Sequence, residues 1–237
     1  MERIARARVT ATVAELEAGS VDLAGRFKQP SGHGLLVLSG LVCREVLVAG
    51  RKTTELLGPG DVLRPWEQEQ PSPLRPEVHW LALSPSELAI LDESFVDRVR
   101  PWPQITDALL SRAVLRAHTL AVVRAISSHK RLDMRILLLF WLLADRWGRV
   151  RSGGQVWLEM PLTHRLIGEL VGAERPSVST ALGRLAQLDL LTRAGDGWTV
   201  RGGVDGDLDS VLDRVRSGHL ARRQPSREGA PAGTPSR

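Results

Sequence analysis

Between Ile105 and Ser128 the chain runs for 24 residues without a glycine or a proline. The stretch is rich in Ala, Leu, Val and Arg, so nothing in it breaks a helix, and at 1.5 Å per residue it would reach about 36 Å. That is too long for an ordinary surface helix of one small domain. Ile105, Leu109, Arg116, Leu120, Val123 and Ser127 fall on one helical face. One stripe can pack on the rest of the chain, with Arg116 as its interruption, and a second stripe would suit a coiled-coil partner. The helix therefore divides the 237 residues into a part before it and a part after it.

The part before it has the texture of short strands. Leu35-Leu36-Val37-Leu38 is followed by Ser39-Gly40, and then by Leu41 to Val48. Ala49-Gly50-Arg51-Lys52 reads as a turn, Thr53 to Leu57 as a strand, and Gly58-Pro59-Gly60-Asp61 as its close. Strands at this spacing predict an antiparallel roll or barrel. Pro65 to Pro76 holds four prolines and reads as a loop, with Val78 to Leu83 as the last strand. Ser84-Pro85-Ser86-Glu87 carries the marks of a helix start, a Ser cap with Pro in the first turn and Glu three residues on.

The part after it begins with a helix over Leu132 to Trp147, apolar on most faces and expected to be buried. Val156-Trp157-Leu158 is a short strand. Thr163 caps a helix from His164 to Val171, and Gly172 stops it. After Ala173-Glu174-Arg175 a second helix opens with Pro176 in its first turn and runs to about Leu188. Leu191-Thr192-Arg193 and Trp198-Thr199-Val200 flank the hairpin turn Ala194-Gly195-Asp196-Gly197. Residues 205–216 suggest a further short helix, and the tail from Ser217 reads as disordered. The predicted fold class is α+β, divided into a roll at 1–104, the long helix at 105–130, a winged helix-turn-helix at 131–204, and a C-terminal helix with a basic tail at 205–237.

Composition narrows the function. A hydrophobic fraction of 43% supports a packed core. The longest apolar run, Ile136 to Leu143, is far short of a membrane span, and the N-terminus lacks a signal-peptide h-region, so a cytoplasmic address is expected. One cysteine, Cys43, excludes an intramolecular disulfide and a Cys-rich metal or iron–sulfur site. His33, His79, His118, His129, His164 and His219 show no metal spacing. No phosphate loop, nucleophile elbow or triad-like set is present, so an enzyme is not expected. The net charge of +5 is uneven. Residues 98–151 hold 11 Lys/Arg against 3 Asp/Glu, and residues 1–97 hold 10 against 14. A basic middle beside an acidic front fits two modules with different partners, although a solvated Arg-rich helix would give the same count.

Two short helices joined by a tight turn form a helix-turn-helix, whose second helix must bury one face and offer the other to the DNA major groove. Val178, Leu182 and Leu185 share one face. The opposite face carries Pro176, Thr180, Gly183 and Gln187, with Ser177 and Arg184 on its flank. These are small or polar, so the helix can come close to base edges. Arg175, at the helix start, is the best candidate for guanine. Ser177, Ser179 and Thr180 suit phosphates and nearby base edges, and Thr163, Arg184 and Arg193 suit backbone contacts. On pattern alone an ordinary helical hairpin under a small sheet remains the alternative.

The run from Leu162 to Leu185 resembles the helix-turn-helix of Crp–Fnr regulators, above all in Val171-Gly172 followed by Arg175-Pro176-Ser177-Val178-Ser179. Leu57-Gly58-Pro59-Gly60-Asp61 is similar to the Gly-x-Gly-Asp turn of that family's cyclic-nucleotide-binding-like roll, and the helix from Ile105 to its dimerisation helix. The resemblance covers roughly residues 10–200. It implies a homodimeric transcription regulator that binds double-stranded DNA, with RNA polymerase as a further partner, and it gives Arg175 the role of reading guanine. Where the family often has an acidic reader this chain has Pro176, and Thr180 replaces a later arginine.

The roll departs further. Gly60-Asp61 runs into Val62-Leu63-Arg64-Pro65-Trp66-Glu67, with neither the Gly-Glu-Leu cassette nor the Arg-Ser/Thr-Ala string of cyclic-nucleotide binders. Cyclic AMP is therefore not expected as effector, and no cofactor is expected. Arg64 or Arg75 as an anion ligand, and haem at His33 or His79, are the remaining ligand readings. From other function classes, a cupin-like metal enzyme and a protein-interaction module built on a helix-turn-helix scaffold stay open.

Overall fold

The computed structural model describes residues 10–27, 32–66, 74, 76–151, 153–202 and 208–217. Among the described residues eight strands build the N-terminal roll: β1 (Thr12–Leu16), β2 (Gly19–Val21), β3 (Gly34–Ser39), β4 (Val42–Val48), β5 (Arg51–Leu57), β6 (Val62–Leu63), β7 (Glu77–Ala82) and β8 (Ser86–Leu91). They pair antiparallel into two four-stranded sheets, ordered β1-β8-β3-β6 and β2-β7-β4-β5. A four-residue helix, α1 (Leu23–Arg26), lies between β2 and β3. Leu35, Val37, Val42, Leu57, Leu63, Trp80 and Leu88 fill the space between the sheets.

The structure departs from the local sequence pattern at two turns. The turn after β4 is only Ala49-Gly50, and Arg51 and Lys52 already pair with Val48 and Leu47. Ser84-Pro85-Ser86-Glu87 does not start a helix. Ser86 begins β8, which lies between β1 and β3 with Leu88 and Leu91 buried. The Ser84 hydroxyl accepts the Leu41 amide at 3.2 Å, and the Ser86 hydroxyl donates to the Ser84 carbonyl at 2.8 Å. Both serines thus serve a turn, because burying β8 between two strands outweighs a local capping signature. The helix starts one element later. Asp92 accepts from the Phe95 amide at 2.7 Å and caps α2 (Glu93–Val99).

The long helix, α3, spans Pro103–Ser127, and α4 spans Leu132–Trp147. Arg116 does not interrupt the packed stripe of α3 but anchors it. Its Nε and Nη2 donate to the Glu55 carboxylate at 2.6 and 2.8 Å, and its Nη1 to the Val62 carbonyl at 3.2 Å. Arg44 reaches the same carboxylate at 3.3 Å, and Arg112 donates to the Gly60 carbonyl at 3.0 Å. Beyond α4 lie β9 (Arg149–Arg151), β10 (Gln155–Leu158), α5 (His164–Val171), α6 (Arg175–Gln187), β11 (Leu191–Ala194), β12 (Gly197–Arg201) and α7 (Leu208–Ser217). The third sheet has the order β11-β12-β10-β9. Arg75, most of the proline-rich loop, the first nine residues and the tail after Ser217 lie outside the described residues.

The roll and the C-terminal part share one core. Leu41, Cys43 and Leu56 of the roll join Leu137, Phe140 and Leu143 of α4, Leu166 and Leu170 of α5, and Leu185 of α6. Cys43 is fully buried there, and burial pushes its thiol up to about 12. On the rim of this junction Lys52 binds Glu45 at 3.0 Å and Glu169 of α5 at 2.9 Å.

Candidate nucleic-acid interface

Helix α5 is defined by its ends. The Thr163 hydroxyl accepts from the Leu166 amide at 3.2 Å, and Gly172 closes the helix at φ 67, a left-handed conformation that favours glycine. Next to it the Ala173 amide donates to the Gly168 carbonyl at 2.8 Å, and a Cβ on Gly168 would run into the Ala173 carbonyl. Arg135 of α4 donates to the Val171 and Gly172 carbonyls at 2.9 and 3.2 Å, tying the turn to the core. The angle between α5 and α6 is therefore set by backbone contacts that larger residues would break.

Helix α6 buries Val178, Ala181, Leu182 and Leu185. Arg175, Pro176, Ser177, Ser179, Thr180, Gly183 and Arg184 are exposed, and a Cβ on Gly183 would meet open space. The Ser179 and Thr180 hydroxyls donate back to the carbonyls of Arg175 and Pro176, at 3.1 and 3.2 Å. Ser179 also lies 2.8 Å from Nδ1 of His164, the first residue of α5. The His164 ring sits 6.4 Å from the ring of Trp198 on β12, and the Arg193 guanidinium lies 5.8 Å from that same ring.

A continuous chain of contacts thus links Arg193 in the β11–β12 wing to Trp198, His164, Ser179 and Arg175, with Thr163 adjoining His164. Ser177 and Arg184 share the exposed side of α6 without joining that chain. Arg184 helps stabilise the Asp133 carboxylate. Burial pushes this carboxyl up, but the Arg131 hydrogen bond and charge outweigh it and hold it below the usual carboxylate range. Sequence reasoning missed His164 and Trp198. The adjoining signal was the Thr163 cap, which puts residue 164 in the first turn of α5. It also missed β9, whose three residues are all exposed at the sheet edge.

Residues 134–201 match the model of the Crp-like helix-turn-helix domain. This part of the chain is similar to the helix-turn-helix domain of Crp-like proteins. No curated protein matches it at a significant level. Solved structures extend the similarity to the fold of most of the chain. A cyclic nucleotide-binding domain containing protein from Listeria monocytogenes is 14% identical with a TM-score of 0.65, over 84% of this chain and 96% of its own. A CooA mutant from Carboxydothermus hydrogenoformans is 16% identical with a TM-score of 0.61, over 86% and 87%. A Crp/Fnr family transcriptional regulator from Thermus thermophilus is 18% identical with a TM-score of 0.56, over 88% and 100%. Among the described residues no helix is long and apolar enough to cross a membrane, and no group of three His, Cys, Asp or Glu is placed to hold a metal.

Proposed function

We propose that this protein regulates transcription in the cytoplasm as a homodimer that binds an inverted-repeat DNA site, with RNA polymerase as the further partner of the bound dimer and no catalytic role. The observation that carries the reading is the exposed side of α6, small or polar throughout, with Arg175 at its entry turn. Recognition helices enter the major groove by their N-terminal turns, and an arginine there can hold guanine O6 and N7 with two bonds. Ser177, Ser179 and Thr180 then approach base edges or phosphate, while Thr163, Arg184 and Arg193 flank them. Replacing Arg175 by Ala is expected to cost about 1–3 kcal/mol on the specific site, mostly at one base pair per half-site. Arg184→Ala and Arg193→Ala are expected to weaken all sequences alike and flatten the salt dependence. Titration against a selected site and its single-base variants separates the two classes. Equal losses on every sequence for Arg175→Ala would make it a phosphate contact, and absence of any salt-dependent duplex binding would overturn the reading as a whole.

The dimer rests on α3. Of its 25 residues only Ile126 is buried. Leu110, Val114, Leu115 and Leu120 are 63%, 61%, 56% and 42% exposed. Leu110, Val114, Ala117 and Ala121 follow one another at the four-three-four spacing of a coiled-coil seam.

Independence from cyclic AMP rests on the space between the roll and α3. A cavity of about 500 Å³ is lined by His33, Arg44, Arg64, Trp80, Leu109 and Arg116. Two of its arginines, Arg44 and Arg116, already share the Glu55 carboxylate. A phosphate arriving there would have to compete with a carboxylate built into β5, in addition to lacking the loop that cradles it elsewhere. Calorimetry with cyclic AMP is expected to give no micromolar binding. A dissociation constant in the micromolar range or below would show that Glu55 yields its arginines to the nucleotide.

A further inference from the structure

We infer that His164 is a positioning residue for sequence readout: it fixes the Ser179 hydroxyl as a hydrogen-bond acceptor, so that Ser179 reads a base amino group. The inference rests on the DNA-binding reading of α6 and goes beyond it by giving one side chain a donor–acceptor sense.

One proton and two lone pairs decide the donor–acceptor sense of Ser179. A serine hydroxyl has one O–H to give and two lone pairs to accept with. Ser179 Oγ lies 3.1 Å from the Arg175 carbonyl oxygen and 2.8 Å from His164 Nδ1. The carbonyl can only accept, so the 3.1 Å contact is a bond only if the hydroxyl proton points to it. The imidazole must then be the donor at Nδ1, a role open to the Nδ1–H tautomer and to the cation. The reverse assignment, with the hydroxyl donating to Nδ1, would leave two oxygens facing each other at 3.1 Å with no proton between them. Only one arrangement makes both contacts bonds, and it leaves Ser179 a single lone pair toward solvent.

An acceptor cannot bind phosphate oxygens, guanine O6 and N7, or thymine O4. In the major groove it can take cytosine N4–H2 or adenine N6–H2. His164 is itself held in place. It starts α5 directly after the Thr163 cap, and its ring lies beside Trp198, which is buried and 5.0 Å from Phe140.

The test is selection of binding sites from a randomised duplex library by the full-length protein and its variants, followed by titration of the selected site. Ser179→Ala is expected to lower the preference for a C or A at one position of each half-site about fivefold, the worth of one net hydrogen bond. His164→Ala is expected to relax the same position by a similar factor. The double variant should lose no more than either single one, and His164→Asn, which keeps an N–H near the Nδ1 position, should restore the preference. If His164→Ala lowers affinity equally on every sequence while the preference at that position stands, His164 only ties α5 to α6 and the inference fails. It also fails if removing the amino group from that base pair, with purine in place of adenine or 2-pyrimidinone in place of cytosine, costs the unaltered protein no affinity. Circular dichroism of His164→Ala separates loss of fold from loss of readout. If the unaltered protein enriches no sequence, the DNA-binding reading falls first and this one with it.

Discussion

Replacing Asp61 by Ala is expected to destabilise the folded chain by about 3–5 kcal/mol, the cost of removing one partner from a buried ion pair. Asp61 is 3% exposed. Its Oδ1 accepts from Arg146 Nη2 of α4 at 2.6 Å, and its Oδ2 accepts from the Gly58 amide at 2.9 Å. The Arg146 guanidinium is enclosed too, lying 4.1 Å from the ring of Trp147. That Trp donates to the Pro59 carbonyl at 3.2 Å and packs against Gly58. One carboxylate therefore joins the turn after β5 to the helix that opens the helix-turn-helix domain. Without it, a guanidinium and an amide are left in a dry junction with nothing to bind. Asp61→Asn keeps an acceptor for Gly58 and should cost less. Exchanging both charges for apolar groups, as in Asp61→Leu with Arg146→Met, should recover much of the loss, because the desolvation cost disappears with the pair. Urea unfolding followed by circular dichroism measures all three. A loss below about 1 kcal/mol for Asp61→Ala would mean that solvent reaches the junction and Arg146 finds water instead.

How much of this arrangement could be read from the chain depended on whether its signals were local. The helix-turn-helix was legible because each boundary is set by a neighbour in sequence: Thr163 caps, Gly172 turns left-handed, and Pro176 opens the second helix. The long helix was legible for the same reason, since nothing between Ile105 and Ser128 can stop it. Ser84-Pro85-Ser86-Glu87 misled because the same residues that start a helix can also make a turn, and only the strands on either side of β8 decide between them. Arg116 looked like a flaw in an apolar stripe, since its partner, Glu55, lies 61 positions away. The core shared by Cys43, Leu56 and Leu170 was invisible for the same reason. In the candidate site the exposed residues of α6 followed from helical periodicity. The bond from His164 to Ser179 did not, because it depends on the angle between two helices.

The largest effect on DNA binding is expected from a charge on the outer face of α3. Leu110 and Val114 are 63% and 61% exposed in the single chain, so Val114→Glu or Leu110→Glu removes little packing within it, and the folded chain should keep its helical signal and most of its stability. A two-fold axis running along α3 would bring each new carboxylate close to its own copy, in an interface that otherwise offers apolar side chains. Like charges held in such a seam repel and must also give up water, so the proposed dimer should dissociate at micromolar concentration. The consequence for DNA follows from linkage. Two recognition helices joined through one dimer bind the second half-site as an intramolecular step, and coupling of this kind commonly multiplies affinity by about 10²–10⁴. Loss of the dimer should therefore lower affinity for an inverted repeat at least about a hundredfold, yet leave binding to an isolated half-site nearly unchanged. Light scattering and titrations on whole and half sites distinguish the outcomes. If the Glu variants stay dimeric, the seam lies elsewhere on the molecule. If they become monomeric and still bind the inverted repeat at full strength, α3 holds two copies together without coupling their recognition helices.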